Sequence, residues 1–372
     1  MANSNFTRAK AAKNDEFYTQ HADIEKEMNA YLEFNPKIFS GKVILLPCDD
    51  PEWSNFTRYF AQNFEKFGLK KLVSTSYAPQ SKPELLDYKP SDMERSSDRF
   101  DSEKTVTRGK IFVITDDINH DGKIDIDDLD WNYLEGDGDF RSAEVRELRD
   151  EADIIITNPP FSLFRDYMNW ISESGKQFVV VGSMNAITYK EVFTLIRDNR
   201  MWLGATANGS DMVFKVPEGA SVKEADRQKA AKMGYPGSYT RLGNSCWFTS
   251  IEHGRRHTPL QLMTTADNLK FNRKMKGKKG YDRYDNFDAI DVSFTNAIPS
   301  DHNGLMGVPI SFLEKYCPDQ FEIVGSFNAG SHGEELGATK TEVISNGKKM
   351  LWNGPVVGKT ALYKRIIIRK AQ

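Results

Sequence analysis

Cysteine is scarce in this chain: Cys48, Cys246 and Cys317 are the only three in 372 residues, odd in number and far apart. That argues against a disulfide framework or a structural zinc site and makes a reducing cytoplasm, bacterial or phage-infected, the expected compartment. Long apolar runs are missing as well. No stretch approaches the roughly 20 apolar residues of a membrane-spanning helix, and the start Met1-Ala2-Asn3-Ser4 lacks a signal-peptide core. Histidines are few, and His253, His257 and His302 are scattered as surface or core residues rather than grouped as metal ligands. Net charge is only −3, which looks wrong for a polyanion-binding protein until its distribution is read. Residues 114–153 hold 15 Asp and Glu against 4 Lys and Arg, a local −11 that leaves +8 on the remainder.

With 39% hydrophobic residues the chain can bury one large core and a smaller domain. The pattern predicts strands over 42–47, 71–77, 111–115, 153–157 and 177–181. Helices fall between them. Ile24, Met28, Tyr31 and Leu32 recur at helical spacing after Thr19, which reads as an N-cap. Phe56, Tyr59, Phe60, Phe64 and Phe67 form an aromatic stripe with Ser54 as cap and Gly68 at its end. Phe164, Tyr167, Met168 and Ile171 mark a further helix stopped near Gly175. This rhythm predicts an α/β fold with a doubly wound, mostly parallel sheet covered on both faces.

Asn158-Pro159-Pro160-Phe161 follows the run Asp153-Ile154-Ile155-Ile156-Thr157 directly. Ligands of doubly wound sheets bind where strands end, so a rigid polar turn there is a site candidate. The two prolines freeze the backbone and hold Asn158 extended, which fixes where its amide points. A carboxamide held this way can accept from an amino group, and Phe161 offers a flat face to a planar base. Taken alone, Asn-Pro is also an ordinary turn.

Three further segments add to it, making four in chain order: Asp15-Glu16-Phe17-Tyr18-Thr19-Gln20; Leu46-Pro47-Cys48-Asp49-Asp50-Pro51 with Ser54-Asn55-Phe56; Gly136-Asp137-Gly138-Asp139-Phe140-Arg141-Ser142; and residues 157–164, which contain the turn. Weaker likeness runs through 182–191 and 244–249 into the last hundred residues. Together they resemble the S-adenosylmethionine-dependent, amino-methylating DNA methyltransferases, and within them the EcoRI-type adenine methyltransferases. The resemblance implies a Rossmann-like catalytic domain over 1–255, with an acidic insertion at 114–139, and a mixed α+β DNA target-recognition region over 256–372. It implies that Asn158, Pro159, Pro160 and Phe161 form the catalytic turn. It implies cofactor contacts from Tyr18, Thr19, Pro47, Cys48, Asp49, Asp50, Ser54, Asn55, Phe56, Asp139, Phe140 and Asn158. Where the wider class often has a glycine-rich turn after the first strand, this chain has Cys48-Asp49-Asp50-Pro51, the acidic-proline form of the EcoRI-type pattern. Asp139 would accept from the cofactor's adenine amino group while Phe140 packs on its ring.

The expected reaction is transfer of a methyl group to the N6 amino group of an adenine flipped out of duplex DNA, since the target atom is buried within a stacked duplex. Phe161 would stack on one face of the base, and Trp247 or Phe248 on the other, although 246–251 also reads as an inner strand. Lys270, Arg273, Lys274, Lys276, Lys278, Lys279 and Arg283, interleaved with Phe271, Tyr281 and Tyr284, form the densest basic cluster and a candidate phosphate track. A solvated surface loop is the plainer reading of the same residues.

Asp117, Asn119, Asp121, Lys123 and Asp128, with Gly122 at the sharp turn, have the spacing of a calcium-binding loop of the EF-hand or dockerin type. The same segment also reads as an acidic loop that binds nothing. A bound ion would brace the approach to Asp139 and take no part in the chemistry. Double-stranded DNA is the expected partner, with a cognate restriction endonuclease as a possible companion activity. Alternatives are a cytosine N4 methyltransferase, a protein glutamine methyltransferase, and a calcium-stabilised, non-catalytic DNA-binding module. Asn rather than Ser at 158 favours adenine over cytosine, Phe rather than Tyr at 161 and the long C-terminal part favour DNA over protein, and the intact turn favours an enzyme.

Overall fold

The computed structural model describes residues 18–49, 54–78, 90, 92–206, 212–216, 222–345 and 348–371. Two compact units emerge, one from Met1–Thr194 and Met201–His253, the other from Leu195–Arg200 and Gly254–Gln372.

Strands of the first unit are β1 (Tyr18–Thr19), β2 (Val43–Leu46), β3 (Lys71–Ser76), β4 (Lys110–Ile114), β5 (Asp130–Tyr133), β6 (Ile154–Thr157), β7 (Gln177–Ser183), β8 (Trp202–Leu203), β9 (Met212–Lys215), β10 (Tyr239–Leu242) and β11 (Ser245–Thr249). An eight-stranded sheet runs β5-β4-β3-β2-β6-β7-β11-β8. Its centre is parallel, through β3 with β2, β2 with β6 and β6 with β7. Continuous runs such as Ile154-Ile155-Ile156 suit strands buried on both faces. Both flanks are antiparallel, which corrects the expectation of a mostly parallel sheet. The described residues between β3 and β4 hold only two single-turn helices, Asp92–Arg95 and Lys104–Thr107, and β4 returns antiparallel beside β3, a pairing that requires no crossover helix.

Helix α1 (His21–Phe34) buries Ile24, Met28 and Tyr31. Its N-cap is Gln20, without a side-chain bond, whereas Thr19 belongs to β1 and does not cap. Helix α2 (Asn55–Gln62) starts as expected, with Ser54 Oγ accepting from the Phe56 N–H at 3.0 Å. The stripe continues through Phe64–Phe67 to Gly68, whose left-handed φ of 63° lets the chain leave the helix. Helix α3 (Phe164–Ser174) ends the same way at Gly175. Residues from α1, α2 and strands β2, β3, β6, β7, β9 and β11 share one hydrophobic core.

In the second unit, β12 (Asp282–Arg283), β13 (Ile290–Asp291), β14 (Met306–Pro309), β15 (Phe321–Phe327) and β20 (Arg365–Lys370) form a sheet ordered β12-β13-β14-β20-β15. Two hairpins, β16 (Thr341–Ser345) with β17 (Lys348–Trp352) and β18 (Val356–Val357) with β19 (Thr360–Ala361), complete its strands. Ile366, Ile367 and Ile368 of β20 are buried, and Tyr284, Phe327 and Ile367 join one core cluster.

Candidate active site

Parallel pairing fixes where the site lies. Because β3, β2, β6 and β7 run the same way, the segments that follow them emerge at one edge of the sheet. Antiparallel strands add two more connections to that edge. Tyr133, the last residue of β5, pairs with Lys110, which pairs with Ser76 at the end of β3, so 134–140 leaves there too. Asn244 just before β11 accepts through its carbonyl from the Met184 N–H just after β7, at 2.7 Å. Segments 47–49, 77–78, 134–140, 158–161 and 243–244 are thereby gathered from across the sequence.

The turns after β2 and β6 are tied directly, the Thr157 hydroxyl donating to the Pro47 carbonyl at 2.8 Å. Cys48, half-buried, adopts φ 62°, a left-handed conformation that favours glycine. The bend supplied elsewhere by glycine is thus present here without one. Asp49 is buried and turned inward: it accepts from the Ser54 hydroxyl, from the Thr57 N–H at 3.2 Å and from the Thr57 hydroxyl at 2.8 Å. Its carboxylate therefore anchors the start of α2 and does not face a ligand, contrary to the expectation of a cofactor contact. Asp50, the other acid of this turn, and residues 15–17 lie outside the described residues.

Tyr18 and Thr19 pair with Lys215 and Phe214 of β9, whose other neighbour is β10. Asn55 holds them to the start of α2, its Nδ2 donating to the Thr19 carbonyl at 2.7 Å. Phe56 is core, edge-on to Trp247 with centroids 6.1 Å apart. On the turn after β6 Pro159 and Pro160 are buried, while Asn158 and Phe161 keep partial exposure. Phe161 meets Phe214 edge to face, centroids 6.4 Å apart at 87°.

The loop before Asp139 is pressed onto the end of β3. Ala78 N–H donates to the Asp137 carbonyl at 2.8 Å, and a Cβ on Gly138, at φ 79°, would overlap the Ser76 carbonyl oxygen. Gly138→Ala is expected to destabilise the protein by about 2–4 kcal/mol, from left-handed strain together with overpacking. Chemical denaturation checks it, and an unchanged midpoint means the loop is not seated this way. Asp139 itself forms a two-point pair with Arg141, Nε to Oδ1 at 2.9 Å and Nη2 to Oδ2 at 2.6 Å. Arg141 sits 5.2 Å from the Phe140 ring, and that ring is fully buried against Tyr167 and Trp170. Phe140 is therefore core, not a face for the cofactor's adenine. Trp247 and Phe248 are also fully buried, in β11 between β7 and β8, so neither presents a ring to a base.

Three participants had no sequence signal that set them apart. Phe214 and Arg141 are two. Glu27 is the third, a buried carboxylate on α1 that accepts from the Ala205 and Thr206 N–H groups at 2.8 Å each and holds the segment leading towards β9. Desolvation by burial raises its pKa, with donors from Thr206, Tyr31 and Ala205 opposing the rise.

The acidic loop lies elsewhere. It leaves β4 at Ile114, opposite Leu72 at the start of β3, and so hangs from the other edge, roughly 15 Å away along a five-residue strand. Its side-chain oxygens close the loop on itself. Asp117 accepts from the Asp121 and Gly122 N–H groups, Asn119 from Asp121, Asp121 from Lys123, and buried Asp128 from Ile118, Asn119 and Asp125. Among the described residues no group of three or more His, Cys, Asp or Glu is placed to hold a metal ion. The loop therefore lies at the sheet edge opposite Asp139, with β5 running between the two.

In the second unit, Lys270, Arg273, Lys274, Lys276, Lys278, Lys279 and Arg283 are all exposed around the helix Thr265–Phe271 and the turn after it. Lys278 pairs with Asp282 at 2.9 Å, Arg283 pairs with Asp288, and Lys274 lies over the Phe294 ring at 4.7 Å. Phe271 is 62% exposed, but Tyr284 is buried with its hydroxyl on Asp291, which removes it from any contact surface. All three cysteines are free thiols, and no helix of the described residues is long and apolar enough to cross a membrane.

The family described as "Adenine-specific methyltransferase EcoRI" matches residues 5–371. Type II methyltransferase M.EcoRI of Escherichia coli is 39% identical over 331 residues, covering 88% of this chain and 90% of its own. Type II methyltransferase M.MpnI of Mycoplasma pneumoniae is 35% identical over 320 residues, 86% and 84% of the two chains. Type II methyltransferase M.MgeORF184P of Mycoplasma genitalium is 33% identical over 370 residues, 99% of each. No solved structure matches the chain significantly.

Proposed function

The chain belongs to the EcoRI-type adenine-specific methyltransferases, and from that premise we propose that the shared edge of β3, β2, β6 and β7 methylates the N6 amino group of an adenine flipped out of duplex DNA. The observation that carries the reading is the Thr157–Pro47 hydrogen bond, which joins the Asn-Pro-Pro-Phe turn to the turn after β2. A mixed sheet with a parallel centre is compatible with the Rossmann-like methyltransferase arrangement.

S-adenosylmethionine, when bound, supplies an electrophilic methyl group on a sulfonium. The residues present fit such a ligand. Thr19 Oγ1 is buried with no hydrogen-bond partner among the described residues, a group that a ligand atom would satisfy. Tyr18, Thr19, Pro47, Cys48 and Asn55 would line the cofactor side, with Asp139 beside them once Arg141 yields it or shares it. Asn158 Oδ1 and the Pro159 carbonyl accept from the two hydrogens of the target amino group. Drawing on those hydrogens localises the nitrogen lone pair, which adenine otherwise delocalises into its ring, and orients it for in-line attack. Phe161, braced by Phe214, stacks on the base. Catalysis is then orientation and electrostatics, with no covalent enzyme intermediate.

The basic turn of the second unit would track phosphates, Lys270, Arg273, Lys276 and Lys279 contributing most because Lys278 and Arg283 are paired internally. A cytoplasmic setting and a cognate restriction endonuclease complete the proposal. The test is transfer of labelled methyl to unmethylated duplex DNA followed by nucleoside analysis, with a chelator present. N6-methyladenine is expected at an undiminished rate, since sulfonium displacement needs no Lewis acid. Labelled N4-methylcytosine, or loss of transfer on chelation, overturns the reading.

A further inference from the structure

Positive charge in the second unit is concentrated at its C-terminal end. Residues 340–372 hold eight Lys and Arg against one acid, Glu342, a local +7 in a chain of net −3. Most of these cations are already engaged: Lys340 by Glu334, Lys349 by Glu342, Arg365 by Asp291, Arg369 by Glu322, and Lys370 by the Ser300 carbonyl. Lys364 is half-buried and has no anion partner among the described residues. Burial with no carboxylate beside it pushes its ammonium pKa down. A cation partly stripped of water and left unpaired is costly, and a bound anion offsets that cost. Its neighbour Tyr363 is 70% exposed.

Strand register fixes where Lys364 emerges. It precedes Arg365, which pairs with Pro309, the last residue of β14. Because β13 runs parallel to β14, its end at Asp291 and the following Ser293 and Phe294 leave at that edge as well. β12 runs the other way and begins there, Asp282 opposite Asp291, so the basic turn through Lys279 enters from the same edge. Lys274 is held at it too, its ammonium 4.7 Å from the centre of the Phe294 ring. From β13 to β20 is two strand spacings, roughly 10 Å, or about three base-pair steps of roughly 3.4 Å. Arg365 fixes the backbone ahead of β20: anchored on buried Asp291 at 2.8 Å, it donates through Nη1 to the Tyr363 carbonyl at 2.9 Å and the Lys364 carbonyl at 3.4 Å. We propose that Tyr363 and Lys364 join the basic turn in one contact surface for duplex DNA, Lys364 binding a backbone phosphate and Tyr363 packing against the neighbouring sugar. This rests on the DNA-methyltransferase reading above.

Lys364→Met removes the charge and keeps the apolar stem, so the variant is expected to resist denaturant at least as well as the wild type. Phosphate contacts carry no sequence information, so a fluorescein-labelled duplex of arbitrary sequence is a sufficient probe for the full chain. Anisotropy titrations across a salt series read those contacts directly. Each contributes about 0.9 to the dependence of log Kd on log salt, and Lys364→Met is expected to weaken binding and reduce that slope by about 1. Tyr363→Ala is expected to weaken binding at an unchanged slope, because an aromatic contact releases no counterion. Lys359→Met is the control. It also loses one charge, but the Lys359 N–H is held by Asp285 at 2.7 Å, in the connection between β12 and β13 at the opposite edge, and its slope should match the wild type. Wild-type affinity and slope in Lys364→Met, wild-type affinity in Tyr363→Ala, or an equal loss of slope in Lys359→Met overturns the assignment. Failure of the methyltransferase reading looks different, because the wild type itself would then transfer no methyl group to DNA, whatever these variants bind.

Discussion

Asn158→Ala is expected to lower kcat by about 10²–10³-fold, as for loss of one preorganised group at a transition state, while S-adenosylmethionine binding stays near wild type. The size follows from what the amide does. An exocyclic amine conjugated to a purine is a poor nucleophile, and an acceptor fixed by two following prolines at the end of β6 withdraws its hydrogen without first reorganising. The turn's backbone survives the substitution, because Pro159 and Pro160 are buried and Thr157 remains tied to Pro47. Single-turnover kinetics together with calorimetry separates the two quantities. Near-normal turnover would remove Asn158 from the mechanism, and a parallel collapse of cofactor affinity would place it in the binding site instead.

The largest stability effect is expected at Asp49. Its buried carboxylate takes the Ser54 hydroxyl and both the N–H and hydroxyl of Thr57, so Asp49→Ala strands three donors at the head of α2. A loss on the order of 4–5 kcal/mol is expected, from three hydrogen bonds to a charged group at about 1.5 kcal/mol apiece. Cofactor affinity should fall with it, since Asn55 and the Thr19 segment depend on that helix start. Denaturant unfolding and calorimetry on Asp49→Ala and Asp49→Asn distinguish the roles. If Asp49 only positions the helix, affinity and stability fall together in both variants, less in asparagine, which keeps one acceptor oxygen. Weakened binding at wild-type stability would instead make Asp49 a direct ligand.

Much of the site was legible because its signals are local. Ile154 to Phe161 announces a buried strand and a rigid turn within a few residues, and Ser54, Gly68 and Gly175 mark helix ends by their own backbone and side-chain chemistry. Direction within a sheet is different, since nothing inside Lys110–Ile114 or Asp130–Tyr133 states which neighbour it joins or which way it runs. The acid spacing near Asp121 is as local a signal, and the fold adds that Asp117, Asn119 and Asp121 accept from amides of their own loop.

The sequence by itself determined the family and the reaction class, and the order of the segments gathered at one sheet edge, because those depend on residue identity at fixed short spacings. Only the tertiary structure decided which side chains face inward. Phe140, Trp247 and Phe248 have the chemistry of stacking platforms, but an aromatic ring is equally suited to a core, and these are fully buried. Asp49 and Asp139 each carry the charge a cofactor contact needs, and the folded backbone turns a nearby residue onto each, Thr57 on one and Arg141 on the other.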